Sequence, residues 1–299
     1  MAFQALSSLS LVGISTHPHR TFELFFVLLP CLWALSIAPM AVTDHQLFKR
    51  AVLFQGYAIA IIASLGAFLW AGRAHALAEA RRMAAEDAAR YTRLWEQRLL
   101  PAAGFREALR ALEGAWREVQ GGALRLPKRQ LGAPTPHALL VQADELNDLL
   151  QAKLYDVCVA HGGEHHACGV KAELRALQKV FRSYRGDWRR LGDLCRTSLV
   201  FDAIAPLEAC LRAIGADSEL QVLHVGDAKM RLREGFDAAA LSGGYRDIQL
   251  CVRLNTEEAR ARGVHGHLAE VQLHFAPIIA LKSGGGHKTY VLRRNRGGQ

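Results

Sequence analysis

None of the six cysteines (Cys31, Cys158, Cys168, Cys195, Cys210, Cys251) stands in C-x-x-C spacing with another. Scattered in this way, with one inside an apolar run, they argue against a disulfide framework and fit reduced thiols facing a cytosol. Charge is missing altogether from Leu24–Thr43 and from Ala51–Gly72, runs of 20 and 22 residues. Each matches the roughly 20 residues that cross a bilayer core. Nothing repeats internally, which excludes a solenoid. Acids are also scarce where bases are dense: Lys171–Arg196 carries eight Lys/Arg against three acids, and Ala280–Gln299 carries five against none. A net charge of +9 concentrated in this way suits anionic partners: lipid heads, nucleic acid or a phosphate-rich ligand.

The two uncharged runs, separated only by DHQLFKR, predict an N-terminal transmembrane helical hairpin within residues 1–72, with spans at about 24–43 and 51–72. A cleaved signal peptide fits the first run less well, since no basic leader precedes it and no small-x-small site follows. Lys49 and Arg50 occupy the short loop, while Arg73, Arg81, Arg82 and Arg90 crowd the exit of the second span. That balance predicts an integral membrane protein with both termini, and its soluble domain, on the cytosolic side. Residues 73–119 then read as juxtamembrane helices broken at Pro101, and the Gly/Pro-rich stretch 120–136 as a linker. A soluble domain is expected over 137–299. Its helices fall at 138–160, 170–190 and 206–214, with a further one at 277–281. Its strands are expected at 196–201, 220–225, 245–254 and 267–275, and a last short one at 289–292. Helices and strands mix without a βαβ repeat, so the class is α+β with one mixed sheet flanked by helices.

Two familiar patterns fail. His161-Gly-Gly-Glu164-His165 fits H-x-x-E-H, but that zinc motif needs a helix, and two interior glycines each cost a helix about 1 kcal/mol. The stretch reads as a loop. Gly284-Gly-Gly-His-Lys288-Thr289 suggests a phosphate-binding P-loop, yet the two required glycines are replaced by His287 and Lys282.

What remains is a set of separated residues. Lys171 and Lys179 lie about two turns apart on a basic helix, so they project to similar sides. Asp193 precedes one strand and Glu270 belongs to another. Two carboxylates beside hydrophobic strands in a basic domain can hold Mg²⁺ while the surrounding cations bind phosphates. Taken singly, Asp193 also reads as a polar strand flank and Glu270 as a solvent-facing residue of an alternating strand.

In series, these residues resemble the RelA/SpoT alarmone synthetase domain. Val170-Lys171 is similar to the V-K-S that opens the family's basic helix, with Lys179 at its second lysine. Leu191-Gly-Asp193-Leu194 with Leu199-Val200 resembles D-L-x-x-x-R-I-V, Gly244-Tyr245 the G-Y of G-Y-Q-S-L-H, and Glu270-Val271-Gln272 the E-V-Q of E-V-Q-I-R-T. Lys229 and Arg231 fall near the R-F-K-D segment, and His287 and Tyr290 near the closing H-W-x-Y-K. The resemblance spans about Val170–Arg294, some 40% of the chain.

It implies a nucleotidyltransferase-like fold and transfer of pyrophosphate from ATP to the 3′-hydroxyl of GDP or GTP. Asp193 and Glu270 would be the catalytic, Mg²⁺-holding pair. Lys171, Lys179 and Arg182 would take the ATP phosphates, and Tyr245, Lys229, Arg231, Gln272 and His287 the acceptor nucleotide. Three positions depart from the family pattern. Ser198 replaces its arginine, with Arg196 offset by two; Gln249 replaces a histidine; His274 replaces a second arginine. The family's hydrolase half is not recognisable, so synthesis rather than degradation is expected. A membrane-anchored guanine-nucleotide-binding module without turnover stays open beside the enzyme. A basic RNA-binding domain fits less well, because Phe181, Tyr184 and Trp188 read as the core side of their helix rather than as interleaved aromatics, and no specific nucleic acid is expected.

Overall fold

A computed structural model describes residues 45–281. The apolar run 24–43, His287 and the strand expected at 289–292 lie outside the described residues. The chain divides into two units, Met1–Arg81 and Arg82–Gln299. Helix α1 (His45–Leu94) passes from one to the other and ends in a π-helical turn at Trp95–Leu99. Residues 45–50, expected in a loop between spans, are its first helical turns. Among the described residues α1 is the one helix long and apolar enough to cross a membrane. Phe54, Tyr57, Ile61, Phe68 and Trp70 on it are all exposed.

The second unit is an α+β layer structure. Helices α2 (Phe105–Gly122), α3 (Pro136–Ala160) and α5 (Ile204–Ala216) contact one mixed five-stranded sheet. Its strands are β1 (Glu164–Ala167), β2 (Cys195–Phe201), β3 (Leu220–Leu223), β4 (Ile248–Leu254) and β5 (Ala269–Phe275), in the order β1-β2-β5-β4-β3. Strands β2 and β5 are parallel; every other pair is antiparallel. Between them come α4 (Glu173–Tyr184), α6 (Ala238–Ser242) and α7 (Glu257–Ala261), and α8 (Ala276–Leu281) follows β5.

The apolar spacing of α3 explains its place. Leu139, Ala143, Leu146, Leu150 and Leu154 recur every three or four residues and are all fully buried. Thr135 caps its start, its hydroxyl accepting from the Ala138 N–H at 3.1 Å, with Pro136 in the first turn. Helix α2 buries Leu109, Leu112 and Trp116. It approaches α5 so closely that a Cβ at Gly215 would sit 2.5 Å from Val119.

The stretch 120–136 is fastened to the second unit along its length. Leu124 exchanges backbone hydrogen bonds with Val222 and His224. Gln130 is buried; its amide donates to the carbonyls of Leu191 (2.5 Å) and Leu268 (3.1 Å), and its oxygen accepts from the Leu268 N–H (2.7 Å). The unit begins at Arg82 and takes in α2, which composition alone places in a separate juxtamembrane segment ahead of a linker.

Strand β1 forms where a loop is expected. Its Glu-His-His-Ala sequence has no apolar alternation, and it survives as an edge by pairing with Thr197–Val200 of β2. Phe181 also differs from expectation: it is 73% exposed, because α4 buries only Ala176 and Val180.

Candidate functional site

Alternation assigns the two faces of the sheet. On β2, Cys195, Thr197, Leu199 and Phe201 are buried, while Arg196 is exposed and Ser198 half-buried. On β5 and β4 the half-buried residues are Glu270, Gln272, Gln249 and Cys251. The register sets Arg196 beside Glu270, Ser198 beside Gln272, and Gln249 and Cys251 across from Gln272 and Glu270. Arg196, Ser198, Glu270, Gln272, Gln249 and Cys251 thus share one open face. Asp193 lies two residues ahead of β2, and Glu270 is the second residue of β5, so both carboxylates stand at the N-terminal ends of adjacent parallel strands.

Lys171 reaches this end from the segment before α4, where its N–H donates to the Leu194 carbonyl at 3.0 Å. Lys179 comes from the second turn of α4. Both ammonium groups converge on Oδ2 of Asp193, Lys179 at 2.8 Å and Lys171 in direct contact. Only 9% of Asp193 is exposed, and its Oδ1 is buried without a hydrogen bond. Burial opposes its charged form, but the two lysines outweigh burial and hold the carboxyl below the usual carboxylate range. Lys171 is pushed down by burial and by the neighbouring Lys179 and Arg196, against the pull of Asp193. For Lys179, burial is overcome by Asp193 and Tyr184, and it is raised.

The second half of the site is tied in by Lys229, at the end of the 3₁₀ turn Asp227–Lys229. Its ammonium donates to the Gln249 side-chain oxygen at 2.5 Å. Burial lowers it, and it lies within electrostatic reach of Glu270, Arg231, Asp247 and Lys179. Glu270 accepts from the Gln272 amide at 2.5 Å, which orients the carboxylate. Arg231 sits one step out, paired with Asp247 at 2.5 Å.

Of the residues chosen from sequence, Lys171, Lys179 and Asp193 meet directly, and Glu270, Gln272 and Lys229 gather on the neighbouring strands. Arg182 is exposed on α4 and forms no ion pair among the described residues. Tyr245 is half-buried: its ring packs edge-on against Tyr91 (centroids 5.6 Å apart), and its hydroxyl lies 2.8 Å from His274 Nδ1. Burial raises its phenol, with Asp247 adding to the effect. The backbone before it allows only glycine: Gly244 has φ +88°, and a Cβ there would meet Tyr91 at 2.7 Å. His274 accounts for one departure from the family pattern, since it is the partner of that tyrosine. Arg196 is offset by two residues in sequence from the position of the family's arginine; strand alternation sets it on the same face as Ser198, two residues nearer Asp193.

The H-x-x-E-H residues diverge. His161 bonds the Val157 carbonyl at 2.8 Å, His165 lies 2.9 Å from the Thr197 hydroxyl, and His166 pairs with Glu164. Among the described residues no group of three or more His, Cys, Asp or Glu is arranged to hold a metal ion. Two carboxylates are nevertheless what Mg²⁺ asks of a protein when phosphates supply its other ligands. The unpartnered Oδ1 of Asp193 and the Glu270 carboxylate fit that requirement, while Oδ2 is taken by lysines. A cavity of about 240 Å³ among Tyr91, Trp95, Glu96, Phe236 and Arg246 shares none of these residues. Arg246 fills part of its wall, its guanidinium 4.1 Å from the centre of the Trp95 ring.

No family model and no curated protein matches the chain. Among solved structures, a chain from the complex between the Type VI effector Tas1 and its immunity protein aligns at 21% identity with a TM-score of 0.33. The alignment covers 48% of this chain and 62% of that one, so this chain spans less than two thirds of its length. The small alarmone synthetase 1 from Bacillus subtilis aligns at 15% identity and a TM-score of 0.39, over 55% of this chain and 80% of that one.

Proposed function

We propose that the chain is a pyrophosphotransferase that moves the β,γ-diphosphate of ATP to the 3′-hydroxyl of GDP or GTP. The observation that carries this reading is the convergence of Lys171 and Lys179 on Asp193, with Glu270 at the same end of the neighbouring parallel strand. Lys171, Lys179, Lys229 and Arg196 form a cationic rim for polyphosphate, and charge neutralisation by positioned cations is the main protein contribution to phosphoryl chemistry. Lys171 and Lys179, with Arg182 at the margin, bind the ATP phosphates; Lys229, Arg231 and Gln272, with Tyr245 and His287, serve the acceptor. Asp193 and Glu270 would hold Mg²⁺, which would neutralise charge on the phosphates when bound. The acceptor 3′-oxygen bonds to the β-phosphorus as the bond from that phosphorus to the α,β-bridging oxygen breaks. The electron pair leaves with AMP, and Glu270, oriented by Gln272, takes the hydroxyl proton.

The test uses the full-length chain in detergent with ATP, GDP or GTP, and Mg²⁺. The expected result is a 3′-diphosphorylated guanine nucleotide and AMP in equal amounts. Asp193→Asn and Glu270→Gln should each abolish the product; full activity in either refutes the assignment. A nucleotide-binding module without turnover is the second reading, favoured by Ser198 where an arginine would complete the open face and by the engagement of Tyr245 with His274. Guanine-nucleotide binding with no transfer would establish it. We also propose that α1 anchors the chain in a membrane with the second unit on the cytosolic side; extraction by carbonate would refute this.

A further inference from the structure

Four cations (Lys171, Lys179, Lys229 and Arg196) share this end of the open face with two carboxylates (Asp193 and Glu270). The group is therefore net positive, and a free dication meets repulsion there. Asp193 offers it only one oxygen, since both lysines already bind Oδ2. Its other oxygen is nine-tenths enclosed with the rest of the residue, yet makes no hydrogen bond. A buried carboxylate oxygen without a partner carries a desolvation cost that any bound cation or donor would relieve. The site is thus poised for a metal and barred from it at once.

A polyphosphate resolves the conflict. Its charge reverses the sign of the group, and its oxygens are better partners for Lys171 and Lys179 than a shared carboxylate atom. Once both ammonium groups turn to phosphate, Asp193 is left with two free oxygens at the same end of the parallel strand pair as Glu270. We infer that the site excludes a free divalent cation and accepts one only together with polyphosphate, because polyphosphate is what draws Lys171 and Lys179 off Asp193. The inference rests on the proposed function in one respect, that polyphosphate binds at this group.

Binding of inorganic probes to the full-length chain in detergent separates the two. Manganese titrated alone and followed by electron paramagnetic resonance should stay free. Tripolyphosphate should bind in EDTA, and about tenfold or more tighter with saturating Mg²⁺, a coupling of ordinary allosteric size. Asp193→Asn should cross over: its released lysines should bind metal-free tripolyphosphate more tightly than wild type, with no further gain from Mg²⁺. A Lys171→Met/Lys179→Met variant, its fold checked by circular dichroism, should bind manganese alone and lose tripolyphosphate. Stoichiometric manganese on the wild-type chain alone overturns the inference. So does tripolyphosphate affinity indifferent to Mg²⁺, and in both cases the proposed function survives. Failure of tripolyphosphate to bind under either condition overturns both.

Discussion

His267 precedes β5, fully buried, with neither ring nitrogen hydrogen-bonded. An imidazolium there would be a charge without solvent or partner, and burial pushes its pKa down to about 4, from an ordinary 6.5. The folded state consequently holds the neutral ring at pH values where the unfolded chain takes up a proton. Stability from this group is complete above pH 6.5, falls as pH drops from 6.5 towards 4, and levels off below. With one pKa unit worth about 1.4 kcal/mol, the loss between pH 7.5 and 4.5 is about 2–3 kcal/mol. The assay is urea unfolding of the full-length chain in detergent at stepped pH, followed by near-ultraviolet circular dichroism, for wild type and His267→Leu. Leucine fills the site without titrating, so the variant should be less sensitive to acid by that amount. Equal acid sensitivity in the two proteins, or a ring resonance that is lost in His267→Leu and titrates near pH 6.5, would refute the reasoning.

Three further outcomes are expected. Gln130→Leu removes three hydrogen bonds to backbone groups and leaves buried ones unpaired, so unfolding should become easier by about 2–3 kcal/mol, and residues 120–136 should become sensitive to limited proteolysis. Gly244→Ala forces a side chain into a left-handed backbone and into Tyr91; chemical denaturation should show a loss of at least about 1–2 kcal/mol. Arg196→Ala removes an exposed guanidinium without an ion-pair partner among the described residues, so thermal stability should hold. Tripolyphosphate affinity should meanwhile fall about ten- to a hundredfold, the worth of charge-assisted hydrogen bonds.

The strands that build the site were legible because they alternate: Glu270 and Gln272 stand out from Val271 and Leu273 in sequence as they do in space. Helix α3 was equally plain, its buried leucines keeping helical spacing throughout. The meeting of Lys171, Lys179 and Asp193 was less so. No local period relates a residue before α4, one within it and one beyond the following 3₁₀ turn; the Lys171 N–H bond to Leu194 is a backbone tie between the ends of that loop that sequence does not announce. Strand β1 was invisible for a different reason, since an edge of four polar or small residues takes its structure from its neighbour. The exposure of Phe181 is not legible in sequence, because helical spacing gives a face but not its occupant; Leu174, Leu177 and Phe181 form an apolar stripe that stays exposed. Composition also misled at 120–136. Glycine and proline suggested slack, whereas Gln130 secures the segment with side-chain bonds that no propensity encodes.

The bonds of Gln130 reach further than their number suggests. Leu191 lies two residues before Asp193 and Leu268 two residues before Glu270, so one side chain from outside the sheet spans the approaches to both acids. A fragment cut at His137, the natural choice for anyone trimming at the glycines and prolines, would lose this brace together with the apolar face of α2. Such a fragment would retain every residue proposed for the chemistry. An inactive result from it would be evidence about the cut, not about the enzyme.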